Sequence, residues 1–162
     1  MSSRLAKEYK NVAKTLRADQ SFSHVLSLGP CSDDNLTHWD AQIMGPADTC
    51  YSGYKFTLRI QVTDRYPLEP PKIRFAPFSI PHCNIDFDSG RICLTLLEQE
   101  HWSPAWDLLH CVQAIWLLLA NPEPDSPLDV DLACLLRAKD YSAHDALVCY
   151  YLNGGSHGSR SN

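Results

Sequence analysis

The chain has 162 residues, 44% hydrophobic and 20% charged, the balance of a single globular domain able to bury a proper core. A net charge of −5 argues against nucleic-acid binding, which usually shows a basic surplus on one face. Seven cysteines, at positions 31, 50, 83, 93, 111, 134 and 149, have no tight pairing pattern and suit free thiols in a reducing compartment rather than a disulfide framework.

The first ten residues lack the apolar core of a signal peptide. The longest apolar run, 108–120, contains His110 and Gln113 and is too short to span a bilayer. A soluble cytoplasmic protein is expected, without direct membrane insertion and with any membrane association arranged through a partner.

In chain order, residues 2–18 read as a helix capped by Ser2 or Ser3, with Leu5, Tyr9, Val12 and Leu16 as its apolar stripe. Arg4, Lys7, Lys10, Lys14 and Arg17 occupy its other faces, either as solvated surface or as a one-signed docking face. A first strand is expected over 22–28, stopped by Gly29-Pro30 and followed by a polar loop through Asn35. A second runs over 37–44 with Trp39, Ala41 and Ile43 on one side. The third, 54–62, alternates most regularly: Tyr54, Phe56, Leu58, Ile60 and Val62 face one way, as in an antiparallel sheet with one wet face. Pro67, Pro70 and Pro71 then interrupt any ladder, and 72–75 forms a short fourth strand.

Residues 78–99 have no convincing period but are too apolar for disorder, so an ordered, packed loop is expected. Residues 107–120 predict the central buried helix, ended by Asn121-Pro122. Pro124 to Pro127 reads as a turn, 128–138 and 142–152 as two shorter helices, and 153–162 as a mobile tail after a single domain spanning 1–152. The fold class is α+β, with a four-stranded antiparallel meander and helices on one face and at the ends of the sheet.

The 82–94 stretch brings an Asn amide, a Gly and a Cys between Ile92 and Leu94 into a dozen residues. A thiol near an amide donor suits acyl transfer, with the sulfur as nucleophile and the amide meeting the oxyanion. The same Cys also reads as a small buried hydrophobe. His82, Cys83, Cys93, His101, His110 and Cys111 are metal-ligand types, but neither a C-x-x-C pair nor an i,i+4 His pair occurs, so neither metal nor cofactor is expected.

Four motifs in order, Tyr66-Pro67-x-x-Pro70-Pro71, His82-x-Asn84, Gly90-x-Ile92-Cys93-Leu94 and Trp102-Ser103-Pro104-Ala105, together resemble the ubiquitin-conjugating enzymes. The likeness covers nearly the whole chain to about Leu152 and implies their fold. It implies that Cys93 carries ubiquitin as a thioester, that Asn84 supports the oxyanion and orders the loop, and that His82 holds that loop in shape. Asp125 and Ser126 align with the family's gate beside the Cys, where a carboxylate can orient the incoming lysine; Ser126 can equally cap the next helix. Arg4 and Lys7 fall where the family's first helix meets the activating enzyme, and Pro67, Leu68, Pro104 and Ala105 on the loops that dock RING-type ligases.

Some residues depart from the common pattern. Cys83 stands where the family usually has Pro, and the loop from Asn84 to Cys93 is one residue longer than in the common members. These features, with the 106–112 and 125–131 stretches, look most like the peroxisomal branch. That likeness implies a membrane-anchored peroxin tether, a place on the cytosolic face of the peroxisomal membrane, and the recycling import receptor as substrate. A non-catalytic ubiquitin-binding scaffold of this fold characteristically lacks the Cys that this chain keeps. A conjugating enzyme for another ubiquitin-like modifier remains the other alternative.

Overall fold

The computed structural model describes residues 3–155. Helix α1 (Ser3–Ala18) leads through a short 3-10 turn at Gln20–Phe22 into four strands, β1 (Val25–Ser32), β2 (Asn35–Met44), β3 (Lys55–Gln61) and β4 (Lys72–Phe75). They form one sheet in the order β1-β2-β3-β4, each neighbour antiparallel. After an irregular stretch come α2 (Leu108–Ala120), α3 (Val130–Arg137) and α4 (Tyr141–Leu152). The α+β meander expected from the sequence is the observed fold.

Strand alternation sorts the sheet into two faces. Trp39, Ala41 and Ile43 of β2 and Leu58 of β3 are fully buried, as are Leu108, Val112 and Ile115 of α2, and one apolar cluster contains them all. Each such aliphatic side chain contributes about 1.5–3 kcal/mol relative to exposure. Asp107 caps α2 by accepting from the His110 N–H at 2.9 Å, and Trp116 Nε1 ties the helix to the sheet by donating to the Met44 carbonyl at 2.9 Å.

Four local expectations are corrected. The inner stripe of α1 is Leu5, Glu8 and Val12, while Tyr9 is 40% exposed and sits edge-on to Trp39. Glu8 tolerates burial because Arg4 Nε, the Tyr66 hydroxyl and the Leu108 N–H all donate to its carboxylate, at 2.6, 2.7 and 2.9 Å. The first strand starts at Val25 rather than at Phe22, which ends a 3-10 turn over 20–22 capped by the Asp19 carboxylate accepting from the Ser21 N–H at 2.9 Å. Strand β1 then runs through Gly29-Pro30 to Ser32. It lies at the sheet edge, where a missing N–H is tolerated, and the expected loop shrinks to the tight turn between Ser32 and Asn35. Finally, Asp129 rather than Ser126 caps α3, accepting from the Leu132 N–H at 3.1 Å. Ser2 and residues 156–162 of the expected tail lie outside the described residues.

Candidate active site

The loop carrying Cys93 is fastened to the end of the sheet. Gly90 sits at φ +75°, and a Cβ there would lie 1.9 Å from the Phe75 carbonyl oxygen, so only glycine fits. This close approach lets the Phe75 N–H donate to the Gly90 carbonyl at 2.9 Å, closing the turn onto β4. Isolated bridges Arg74↔Arg91, His82↔Ile85 and Ile85↔Ile92 continue the zip, and the Cys93 N–H donates to the Asn84 carbonyl at 2.8 Å. The irregular stretch is therefore an ordered loop, as its apolar content predicted.

The four residues from His82 to Ile85 are sealed, each no more than 1% exposed. His82 Nδ1 accepts the Asn84 N–H at 3.0 Å, which fixes the proton on Nε2, and Nε2 donates to the Leu118 carbonyl at 3.1 Å. Burial, the dominant cause, holds His82 down to about 4. A neutral imidazole with both nitrogens engaged is a bracket between the loop and α2.

Asn84 is a junction. Its Nδ2 donates to the carbonyls of Glu123 at 2.8 Å and Ser126 at 3.0 Å. Its Oδ1 accepts from the Glu123 N–H at 2.8 Å and the Cys83 thiol at 3.2 Å. Both amide hydrogens are thus committed to the 123–126 segment, and an oxyanion must compete with a backbone carbonyl for one of them. Cys83 keeps its proton, its thiol pushed up to about 11 mainly by burial, and its carbonyl accepts from the N–H groups of Leu128 and Asp129 at 2.7 and 3.0 Å.

Asp125 and Ser126 lie on this same exposed segment. The Asp125 side chain retains 97% of its exposure, with Arg137 Nε at 3.6 Å, and Arg137 also donates to the Pro124 carbonyl at 2.6 Å. Asn84, Cys93 and the 123–126 segment are therefore joined by direct hydrogen bonds. Cys93 itself is partly exposed, whereas Cys83 and Cys111 are buried.

The docking residues inferred from the resemblance sit elsewhere. Trp102 Nε1 donates to the Pro67 carbonyl at 2.7 Å, fastening the loop with exposed Pro104 and Ala105 to the one presenting Leu68, itself 64% exposed. Lys7 is exposed, while Arg4 pairs with Glu8 and donates to the Trp106 carbonyl at 2.8 Å. Arg4 thus links the first helix to the Pro104-Ala105 loop.

Sequence reasoning missed Glu8, Glu123 and Arg137. Glu8 was detectable, falling three residues after Leu5 and four before Val12 on the buried stripe. Glu123 acts through its backbone, for which the side-chain pattern holds no signal. Among the described residues, none of the six ligand-type residues named from the sequence belongs to the one cluster of three that could hold a metal ion. The described residues bring together Cys50, His144 and Asp145 within 4.8 Å, with a 2.8 Å bond between His144 Nδ1 and Asp145 Oδ1. Burial first, then the Asp145 charge, pushes the Cys50 thiol up to about 12.

The family model for ubiquitin-conjugating enzymes matches residues 4–151. A Saccharomyces cerevisiae ubiquitin-conjugating enzyme, E2-21 kDa, is 45% identical, covering 93% of this chain and 85% of that protein. Protein PEROXIN-4 of Arabidopsis thaliana is 42% identical over 91% of this chain and 90% of its own length. The crystal structure of the H. polymorpha ubiquitin-conjugating enzyme Pex4p, in complex with the soluble domain of Pex22p, superposes with a TM-score of 0.86 at 38% identity, covering 93% of this chain and 94% of that one. With a family match over almost its whole described length and peroxins among its relatives, this chain belongs to the ubiquitin-conjugating enzymes, which are ubiquitin transferases.

Proposed function

We propose that Cys93 accepts ubiquitin as a thioester from the activating enzyme and passes it to an amine, thiol or ligase-presented substrate. The observation that carries this reading is the partly exposed Cys93, hydrogen-bonded through its backbone to Asn84 while Cys83 beside it stays buried and protonated. The Cys93 thiolate attacks the incoming thioester carbonyl, and the activating enzyme's thiol leaves. In the second step the acceptor attacks the same carbonyl, the tetrahedral oxyanion forms, and the Cys93 thiolate departs. Asn84 turns one amide hydrogen from a 123–126 carbonyl onto that oxyanion, and His82 fixes Asn84 through its backbone N–H. Asp125 orients the acceptor and takes its proton, with Ser126 completing the gate.

Arg4 and Lys7 meet the activating enzyme, and Pro67, Leu68, Pro104 and Ala105 meet a RING-type ligase. Incubating the chain with activating enzyme, ATP and ubiquitin should give a thiol-sensitive adduct on a non-reducing gel, lost in Cys93→Ala. No adduct sinks the proposal, and an adduct with another ubiquitin-like modifier alone reassigns it.

The peroxin relatives support a peroxisomal role. The chain is held by a membrane-anchored peroxin tether at the cytosolic face of the peroxisome, where it ubiquitinates the import receptor for recycling. No helix among the described residues is long and apolar enough to cross a membrane, so membrane placement falls to that partner. A tagged chain that stays diffuse in cells possessing the tether overturns this assignment.

A further inference from the structure

The 45–54 connection between β2 and β3 meets α4 in a cluster that conjugation does not use. Cys50 of that connection and His144 and Asp145 of α4 each bring one ligand atom to within 4.8 Å of the others. His144 is buried, Cys50 half-buried and Asp145 exposed. The sequence carries no C-x-x-C signature for such a site because Cys50 stands far along the chain from the α4 residues.

The donor set and its charge favour a metal ion over a plain ion pair. Thiolate, imidazole and carboxylate are together ligands of zinc, and in a tetrahedron they stand about 3.3–3.8 Å apart. Side-chain adjustments of about 1 Å bring the cluster to that spacing. His144 Nδ1 already meets Asp145 Oδ1 at 2.8 Å, the pairing that orients a ligating histidine. Cys149 stands one helical turn beyond Asp145, and its charge acts on the Cys50 thiol, which places it as a fourth ligand.

The cluster opens onto a pocket of about 300 Å³ that Asp48 also lines, and among the described residues of its wall there is neither Lys nor Arg. Two carboxylates thus face the pocket without a lining countercharge. Burial and the Asp145 charge both disfavour a bare Cys50 thiolate, and a divalent cation offsets both.

We propose that Cys50, His144 and Asp145 hold a zinc ion, with Cys149 completing a four-coordinate site. On binding, the two thiols release their protons to solvent, and thiolate, imidazole and carboxylate lone pairs form the bonds to zinc. Zinc has no redox chemistry, so nothing is oxidised or reduced. With four protein ligands the site is closed, and its role is structural rather than catalytic. Tyr51, next to Cys50, donates its hydroxyl to the Pro81 carbonyl at 2.8 Å, and His82 lines the same pocket. The ion therefore pins α4 and the 45–54 connection to the segment entering the conjugating loop. Binding itself does not depend on the Cys93 thiol.

The test titrates zinc into the full chain, stripped with EDTA and dialysed, and follows binding heat and Tm. Expected are one ion per chain and a Tm raised by zinc. Cobalt in its place should give a thiolate charge-transfer band in the near ultraviolet. Losing even an outer-shell partner costs a metal site roughly tenfold in affinity, so Cys50→Ser and Asp145→Asn should each weaken binding by at least that much. Both should match the wild-type Tm in EDTA, so that weaker binding reports a lost ligand rather than misfolding. Where Cys50→Ser lowers that Tm, Asp145→Asn decides, because the Asp145 side chain is 57% exposed. Cys93→Ser and Cys134→Ser should bind zinc as tightly as the wild type. Less than one ion per chain, a cobalt spectrum without the thiolate band, unchanged binding in Asp145→Asn, or equal weakening in Cys93→Ser or Cys134→Ser overturns the proposal.

Discussion

Residues 82–85 and residues 123–126 are joined through the Asn84 amide, yet the first segment is sealed and the second lies open. His82 to Ile85 are each no more than 1% exposed, while Asp125 keeps 97% of its side-chain exposure. The sealed segment holds its polar groups by satisfying them: both His82 nitrogens and all the Asn84 amide positions have partners. The open segment is held mainly at its backbone, with Arg137 Nε 3.6 Å from the exposed Asp125 carboxylate. The rigid bracket and the accessible segment can thus be varied separately, the first to test stability and geometry, the second to test the proposed handling of an acceptor.

The comparison is tested most severely by acid. His82 has an ordinary value of 6.5 and is held to about 4 in the fold, so the unfolded chain takes up a proton first as pH falls. Its contribution is fully present above about 6.5 and is lost progressively between there and about 4, on the order of 3 kcal/mol in total. Denaturant titrations across this window should show that slope, and His82→Gln should flatten it. An unchanged slope in the variant would assign acid sensitivity elsewhere.

Next in size is Asn84→Ala. Thioester loading should persist while discharge to lysine falls about a hundredfold, measured by single-turnover assays. Equal losses in both steps would mean that Asn84 matters only as the clasp for residues 123–126. Cys83→Ala removes the thiol bond to Asn84 Oδ1 and should cost about 1 kcal/mol in urea unfolding, with loading unchanged. The smallest stability effect belongs to the gate: Asp125→Asn should change unfolding free energy by less than about 0.5 kcal/mol. It should still slow discharge to lysine, and a substantial loss of stability would show that the gate is part of the bracket.

The legible and illegible parts of this protein divide along the same lines. Trp39-x-Ala41-x-Ile43 and the alternating 54–62 stretch announced two strands because period-2 burial leaves a period-2 sequence. The Gly90-x-Ile92-Cys93-Leu94 motif marked the loop through the family resemblance, and the structure supplies the reason for its glycine, which sits at φ +75° against Phe75. Strand β1 misled because Gly29-Pro30 resembles a stop, and only edge placement makes it harmless. The inner stripe of α1 misled because a carboxylate looks like a surface residue until its three donors arrive from α1, the 62–71 segment and α2.

By itself, then, the sequence determined the α+β meander and the buried α2, because burial periodicity is a local property of the chain, and its four motifs carried the family likeness that points to the 82–94 loop. Tertiary structure alone decided that Glu8 is buried, that His82 is a neutral bracket, and that Asn84 spends both amide hydrogens on the 123–126 backbone. It also gathered Cys50, His144 and Asp145 into one cluster. Each of these depends on partners more than a dozen residues away, and the value of a polar or charged side chain is set by the groups that folding brings to face it.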